Sequence, residues 1–312
     1  MTVKTNYIFN LSESITRKNI KFKNRFGIIL SADIYLPAEF DENKHYPGII
    51  IGPPYSGVKE QGPGIYAQEL AKKGYVTLAF DPSFNGNSGG DPRHVSSPDI
   101  FVEDFSAAVD YIGTRKYIDK SKIAAIGICG SGGFALSAAQ IDPRIKAVIT
   151  TSMVDISEAS KMSPLEQRKK EMEEIAELRY NDFLSEDPIL GPRGSALQIK
   201  QTNDPAYNEF GEFYSTERGY HPRSITQFTL SSTLSFMNFS LLDHINTISP
   251  RPIMLIVGKE AFSKQFSKNA YNEANEPKYL IEVENANHID LYDDITKIPF
   301  DEINEFLINV FK

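Results

Sequence analysis

The chain has 312 residues, of which 41% are hydrophobic and 24% are charged. This length and composition are typical of a globular protein with one large domain or two small ones, and they exclude a disordered chain, a collagen and a coiled coil. The net charge is −8 without a basic stripe, which argues against nucleic acid or an anionic membrane as the main partner.

The single cysteine, Cys129, cannot form an internal disulfide, and no group of cysteine and histidine has the spacing of a zinc site. We therefore expect neither a metal nor a cofactor. Charged residues interrupt positions 1–20, so no signal peptide is readable there. The longest uncharged run, 123–141, has glycines at its centre and is a poor membrane span. These features predict a cytoplasmic protein, and they are compatible with a homodimer.

Strands and helices alternate in the first half of the chain. A hairpin is expected over 19–37, where apolar residues alternate on either side of a turn. Apolar runs predict buried strands at 47–52, 75–81, 122–128 and 145–153, and helical spacing predicts helices at 64–73, 101–117 and 132–141. This order predicts an α/β protein with a mostly parallel central sheet and helices on both faces.

The alternation stops over residues 155–246. A charged helix is expected from 163 to 184, because Ser163-Pro164-Leu165-Glu166 has the pattern of a capping box with proline at the first helical position. An aromatic-rich stretch follows over 210–239. The alternation then resumes with strand 252–258, helix 263–275, strand 279–283 and helix 300–311. We therefore predict a core of residues 1–154 and 247–312, and a mainly helical cap insertion, 155–246, above Cys129.

A strand-to-helix junction carries the most informative segment, Gly127-Ile128-Cys129-Gly130-Ser131-Gly132-Gly133. Such a junction holds its central side chain in a strained turn that requires small neighbours, and it is the nucleophile elbow of the α/β-hydrolase fold. Cys129 occupies the nucleophile position, and Ser131 is the alternative nucleophile. A phosphate-binding turn is disfavoured because no Lys-Ser/Thr follows the glycines. The helix dipole should favour the Cys129 thiolate, particularly beside an imidazolium.

The general base of this fold is expected after the last strand, and the orienting acid after the strand before it. His288 lies on the loop that follows strand 279–283, whereas the other four histidines are worse placed. Glu260 is the only carboxylate in the loop after the strand that ends at Gly258, and Asp290 is the alternative acid.

The oxyanion hole of this fold needs two backbone N–H donors aimed at one point. One should come from Gly130, directly after the nucleophile. The other should come from the loop 52–57, where Pro53 and Pro54 have no N–H to donate, so that Tyr55 is the first available donor.

Five segments together resemble α/β-hydrolases of the dienelactone-hydrolase-like group. They are the hairpin 22–37, the loop 52–61, the segment 80–89, the elbow with its cysteine, and Asn287-His288-Ile289-Asp290-Leu291-Tyr292. True dienelactone hydrolases are similar in having a cysteine nucleophile, but they are shorter and lack a large insertion. The resemblance implies the fold and the catalytic machinery, and it says little about the substrate.

These features predict an acyl hydrolase that cleaves an ester, lactone or thioester of a small molecule through an acyl-enzyme on Cys129, with His288 as base and Glu260 as orienting acid. An acyltransferase using the same machinery is one alternative, and peptidase action is disfavoured. The other alternative is a hydrolase-fold protein that binds a small ligand without turnover.

Overall fold

The computed structural model describes residues 6–185, 187–191 and 205–312. Its centre is one eight-stranded sheet with the order β1-β2-β4-β3-β5-β6-β7-β8. The strands are β1 Thr16–Lys23, β2 Ile29–Leu36, β3 Tyr46–Gly52, β4 Val76–Phe80, β5 Ile118–Ile128, β6 Ala147–Thr151, β7 Ile253–Gly258 and β8 Lys278–Val283. β2 pairs antiparallel with β1 and β4, and the other neighbours pair in parallel. The predicted mostly parallel sheet with an N-terminal hairpin is confirmed.

The hairpin forms because its turn supplies its own hydrogen bonds. The side-chain oxygen of Asn24 accepts from the backbone N–H of Phe26 and Ile28, at 3.1 and 3.0 Å. Gly27 takes a φ of +80°, a conformation that a residue with a Cβ rarely adopts. This turn sets the register in which Phe22 lies opposite Leu30.

Helices cover both faces of the sheet, which explains why the central strands are apolar throughout. They are α1 Gly62–Lys72, α2 Pro98–Gly113, α3 Gly130–Ile141, α8 Lys264–Glu273 and α10 Phe300–Val310. Along β3, Ile50 packs in the cluster that includes α2 and α3, whereas Ile49 and Ile51 pack in the cluster that includes α1 and α10. Each of these isoleucines is fully buried, which contributes roughly 1.5–3 kcal/mol.

The segment between β6 and β7 contributes no strand to this sheet in its described part. It forms α4 Ile156–Ala159, α5 Leu165–Leu184, α6 Pro205–Ser215, α7 Ser232–Met237 and a 3-10 turn, Ile245–Ile248. β6 pairs directly with β7, with Val148 opposite Ile253, so the chain leaves the sheet and returns to the neighbouring position. Residues 186 and 192–204 of the predicted insertion lie outside the described residues, as do residues 1–5 of the N-terminal stretch.

The capping box predicted for α5 is wrong. The helix begins at Leu165, and Pro164 is the N-cap residue, with an extended ψ of 146° and no side-chain capping hydrogen bond. Ser163 therefore stands one position before the N-cap and Pro164 is not the first helical residue. The proline pattern located the start of the helix but shifted it by one residue.

Candidate active site

Cys129 occupies the turn between β5 and α3. The strand ends at Ile128 and the helix begins at Gly130, and Cys129 has φ 54° and ψ −122°. The turn needs the glycine before it, because a Cβ on Gly127 would lie 2.1 Å from the carbonyl oxygen of Ser131. The backbone of Cys129 is tied to β6, since its N–H donates to the Thr151 carbonyl at 2.9 Å. The strained backbone is therefore fixed on both sides.

The thiol of Cys129 is enclosed, with the residue only 4% exposed. Burial raises the pKa of this thiol, although hydrogen bonding from the Tyr292 hydroxyl and from the backbone N–H of Tyr55 and Gly130 acts to lower it. The expectation of a favoured thiolate is therefore wrong for this structure, because desolvation outweighs the donors around the sulfur. The raised pKa keeps the thiol of Cys129 protonated near pH 7.

Ser131, the alternative nucleophile, lies in the first turn of α3 and is 3% exposed. Its hydroxyl points toward the end of β3, where a Cβ on Gly52 would lie 2.8 Å from the Ser131 Oγ. Cys129 lines the large cavity described below, and Ser131 is not among the residues that line it. Cys129 therefore faces this cavity and Ser131 does not.

His288 follows β8 and is fully buried. Its ring nitrogens have two partners: Nδ1 lies 2.6 Å from the Ser263 Oγ, and Nε2 lies 2.9 Å from the Tyr292 hydroxyl. The backbone of His288 is held as well, because its N–H donates to Glu209 at 3.1 Å and its carbonyl accepts from Ser152 at 2.7 Å. Burial lowers the pKa of His288 to about 3, so the imidazole is neutral near pH 7.

The structure brings neither predicted acid to the imidazole. Glu260 is exposed at the end of β7, where its backbone N–H donates to the Ala286 carbonyl. Asp290 instead pairs with Lys297 at 2.6 Å and with Arg218 at 3.3 Å.

The residue that contacts Nδ1 of His288 is Ser263, where an acid, Glu260 or Asp290, was expected. The physical reason is that Ser263 stands at the start of α8 but makes no capping hydrogen bond, so its hydroxyl is free to reach His288.

The loop after β3 places Tyr55 against the elbow. A Cβ on Gly130 would lie 2.9 Å from the Tyr55 Cβ, so the two backbones approach closely beside the sulfur. The Tyr55 hydroxyl donates to the Ser96 Oγ at 2.7 Å. The predicted donors, Tyr55 and Gly130, thus both have their backbone N–H at Cys129.

A buried ion-pair group anchors the same loop. The Lys59 ammonium contacts Glu60 at 2.5 Å and Asp81 at 3.3 Å, and the Lys59 backbone N–H donates to Asp81 at 2.8 Å. Arg223, from the segment between β6 and β7, contacts Glu60 at 2.6 Å. Loss of one partner would leave a buried charge unpaired, which costs free energy of folding. These ion pairs therefore hold the loop after β3 against the segment between β6 and β7.

A cavity of about 490 Å³ opens onto Cys129. The segment between β6 and β7 supplies most of its wall, and the described lining residues carry no charged side chain. Six of the lining residues are aromatic: Tyr55, Tyr207, Phe210, Tyr214, Phe228 and Phe262. The ring centroids of Phe262 and Phe210 lie 4.5 and 5.4 Å from that of His288, so these two rings cover the imidazole. The site can therefore hold a neutral, largely apolar group beside the thiol.

Sequence reasoning missed Ser263, Glu209 and Tyr292. Tyr292 had a readable signal, because it stands four residues after His288 and the i, i+4 spacing brings two side chains together at a helical turn. The turn is α9, Asp290–Asp293. Glu209 had none, since its contact with the His288 backbone joins residues 79 positions apart.

No group of three or more histidine, cysteine, aspartate or glutamate side chains that could hold a metal occurs in the described ranges. Within the same part of the chain, no helix has the length and apolar character needed to cross a membrane.

The chain is similar to PA2218 of Pseudomonas aeruginosa, a protein described as uncharacterized, with 44% identity over 98% of this chain and 84% of that protein. The crystal structure of PA2218 has a TM-score of 0.94 at 43% identity, covering 99% of this chain and 98% of that one. YcjY of Escherichia coli, also described as uncharacterized, is 36% identical over 86% of this chain and 90% of that protein. The chain belongs to the family of PA2218 and YcjY.

Relatives of this family at lower identity are hydrolases and transferases of the α/β-hydrolase fold. The thiohydrolase aneE of Aspergillus aculeatus is 26% identical over 89% of this chain and 88% of that protein, and other relatives are named acyltransferase and polyketide transferase. The model of the X-Pro dipeptidyl-peptidase (S15) family matches residues 27–164, which include Cys129 but not His288. The predicted α/β-hydrolase fold is confirmed by the crystal structure of the α/β hydrolase GrgF from Penicillium, which has a TM-score of 0.77 at 21% identity over 95% of this chain and 98% of that one.

Proposed function

We propose that the protein is an acyl-transfer enzyme of the dienelactone-hydrolase-like type that forms a covalent thioester between Cys129 and a neutral acyl group. The main support for the proposal is that two backbone N–H groups and the Tyr292 hydroxyl, which contacts the neutral imidazole of His288, surround one sulfur. Cys129 would attack the acyl carbon, His288 would accept the proton, and the N–H groups of Tyr55 and Gly130 would hold the oxyanion.

Ser263 would take the orienting role that an acid has in most triads. Its contact with Nδ1 fixes the ring. Its oxygen can accept a hydrogen bond from Nδ1–H, which leaves Nε2 unprotonated and able to act as a base. A hydroxyl carries no charge, so it stabilises the imidazolium less than a carboxylate does. The site therefore suits activated acyl donors such as thioesters, and the thiohydrolase names among the relatives support that class.

Residues 155–246 would act as the cap over this site. The wall of the cavity supports this role for the segment. The space beside Cys129 is lined by Tyr207, Phe210 and Tyr214 of α6 and by residues between Thr226 and Thr233. Contacts from this segment also reach the machinery, since Glu209 accepts the His288 backbone N–H. The substrate would be a small molecule with an uncharged acyl part that fills the aromatic cavity.

Transfer of the acyl group to another small molecule is the second candidate. It is favoured by the burial of Cys129 against an apolar cavity wall, because such a wall disfavours attack by water and so lets a thioester last until an acceptor hydroxyl, amine or thiol binds. Names of transferases among the relatives support the same chemistry. Hydrolysis and transfer share every step up to the acyl-enzyme.

A substrate panel distinguishes these activities. Butyryl and hexanoyl N-acetylcysteamine thioesters, a p-nitrophenyl ester and a lactone are incubated with the protein, with and without an added alcohol acceptor. A dipeptidyl p-nitroanilide serves as the peptidase comparison. Thioester consumption that Cys129→Ala abolishes is the expected result, and an ester product in the presence of the alcohol would indicate transfer. Turnover of the p-nitroanilide alone would refute the proposal.

A further inference from the structure

Tyr292 stands between the two groups that the reaction must connect. Its hydroxyl lies 2.9 Å from Nε2 of His288, and the same hydroxyl is near enough to the Cys129 thiol to act on the pKa of that thiol through a hydrogen bond. Among the described residues, no hydrogen bond joins the thiol directly to His288. The nucleophile and its base are therefore connected through a phenol.

Packing holds the Tyr292 ring in this position. The residue is fully buried, and its ring contacts Phe213 edge to face at a centroid distance of 5.3 Å. The Tyr66 hydroxyl donates to the carbonyl of Leu291 at 2.7 Å and fixes the backbone beside it. A ring held this way keeps its hydroxyl in the path from sulfur to imidazole.

We propose that Tyr292 is a catalytic residue, the proton relay between Cys129 and His288; this rests on the proposed acyl-enzyme on Cys129. For this relay, Nδ1–H donates to the Ser263 Oγ, Nε2 accepts from the Tyr292 hydroxyl, and the oxygen of that hydroxyl accepts from the neutral thiol. Donation from the Tyr292 hydroxyl to the sulfur belongs to the thiolate state, in which it lowers the pKa of the thiol.

In the first step of the relay, the Cys129 sulfur bonds to the acyl carbon, the thiol proton passes to the Tyr292 oxygen, and the proton of that hydroxyl passes to Nε2. When the tetrahedral intermediate collapses, the bond to the leaving group breaks. Tyr292 gives the leaving group a proton and recovers one from Nε2. Water or an acceptor then repeats the sequence, and Cys129 departs as a thiol.

The relay explains how a neutral thiol can react without first becoming a thiolate. Burial raises the pKa values of both Cys129 and Tyr292 and lowers that of His288, so a free ion pair is unfavourable at this place. Concerted movement of two protons avoids a separate thiolate, because charge builds up only as the oxyanion forms.

The test uses p-nitrophenyl butyrate, whose leaving group needs no proton, so the burst rate reports activation of the thiol. Tyr292→Phe is expected to slow the burst at least about 100-fold with little change in KM, the size of a lost acid–base step. Tyr75→Phe is the matched control, since it also removes the hydroxyl of a buried tyrosine, one that binds Asn304 instead of the relay, and its burst should keep the wild-type rate. A Tyr292→Phe burst as fast as wild type, or faster, would overturn the relay and leave the acyl-enzyme intact.

A measurement on the wild-type chain tests the relay without a variant. The burst rate in mixtures of H₂O and D₂O should fall along a curve, because two protons move in one step. A straight line would show that one proton moves and would overturn the relay. Absence of any burst or acyl adduct in the wild type would instead overturn the proposed function and the relay with it.

Discussion

The hydroxyl of Ser263 lies 2.6 Å from Nδ1 of His288, at the place where chain order predicts a carboxylate. A serine there orients the ring by one hydrogen bond and leaves the imidazole without a charged partner. This relationship explains why burial can lower the pKa of His288 to about 3 without opposition from a neighbouring acid.

Ser263→Ala should lower kcat about 10-fold, because one hydrogen bond contributes roughly 0.5–1.5 kcal/mol to the orientation of the ring. Steady-state kinetics with a butyryl thioester check this value. Glu260→Gln is the matched control: its side chain is exposed, so kcat should stay within about twofold of wild type. A collapse of kcat in Glu260→Gln with normal activity in Ser263→Ala would restore the acid predicted from the sequence.

The pH profile of kcat/KM should be flat from about pH 5 to pH 8. The base must be neutral, and a folded-state pKa of about 3 means that protonation of His288 reduces activity only as the pH falls toward that value. The raised pKa of Cys129 adds no ionisation within this range. Initial rates with a neutral ester, on protein shown to be folded at each pH, test the prediction. An acid limb centred near 6.5 would contradict it.

Iodoacetamide should label Cys129 at pH 7.5 at least about 10-fold more slowly than it labels free cysteine. The residue is 4% exposed and burial raises the pKa of its thiol, so the reactive thiolate is scarce and shielded. Intact-mass time courses measure the rate, and the protein in denaturant should label at the free rate. Labelling faster than free cysteine would support the thiolate that the helix dipole alone predicts.

Leu230→Ala should shift acyl preference toward longer chains by about 10-fold. Leu230 lines the cavity, so shortening its side chain enlarges the space for the acyl chain of the substrate. Each further methylene that the substrate buries there contributes about 0.8 kcal/mol to binding. The ratio of kcat/KM for hexanoyl and butyryl thioesters measures the shift. Leu184→Ala, at an 84% exposed position of α5, is the control that should leave the ratio unchanged. An equal shift in both variants would refute the cap as the acyl pocket.

Chain order and apolar periodicity were enough to predict the sheet, its helices and the junction that carries Cys129. Those features depend on runs of neighbouring residues, as in the buried strand that ends at Ile128 and the glycines that follow it. The partner of Nδ1 could not be predicted, because triads of this fold usually have a carboxylate there, and the choice among Glu260, Ser263 and Asp290 depends on side-chain directions across two loops. Tyr292 was readable only from its spacing to His288: a buried phenol is ordinarily part of the core, and its contact with Nε2 is what points to another role.

Intact-mass analysis of the protein quenched during turnover of p-nitrophenyl butyrate tests the central proposal most directly. We expect one added butyryl group on the wild type, and it should map to the peptide that contains Cys129. The group should be retained in Ser131→Ala and absent from Cys129→Ala. Retention of the adduct in Cys129→Ala, or its loss in Ser131→Ala from a protein that folds normally, would contradict the assignment of Cys129 as the nucleophile.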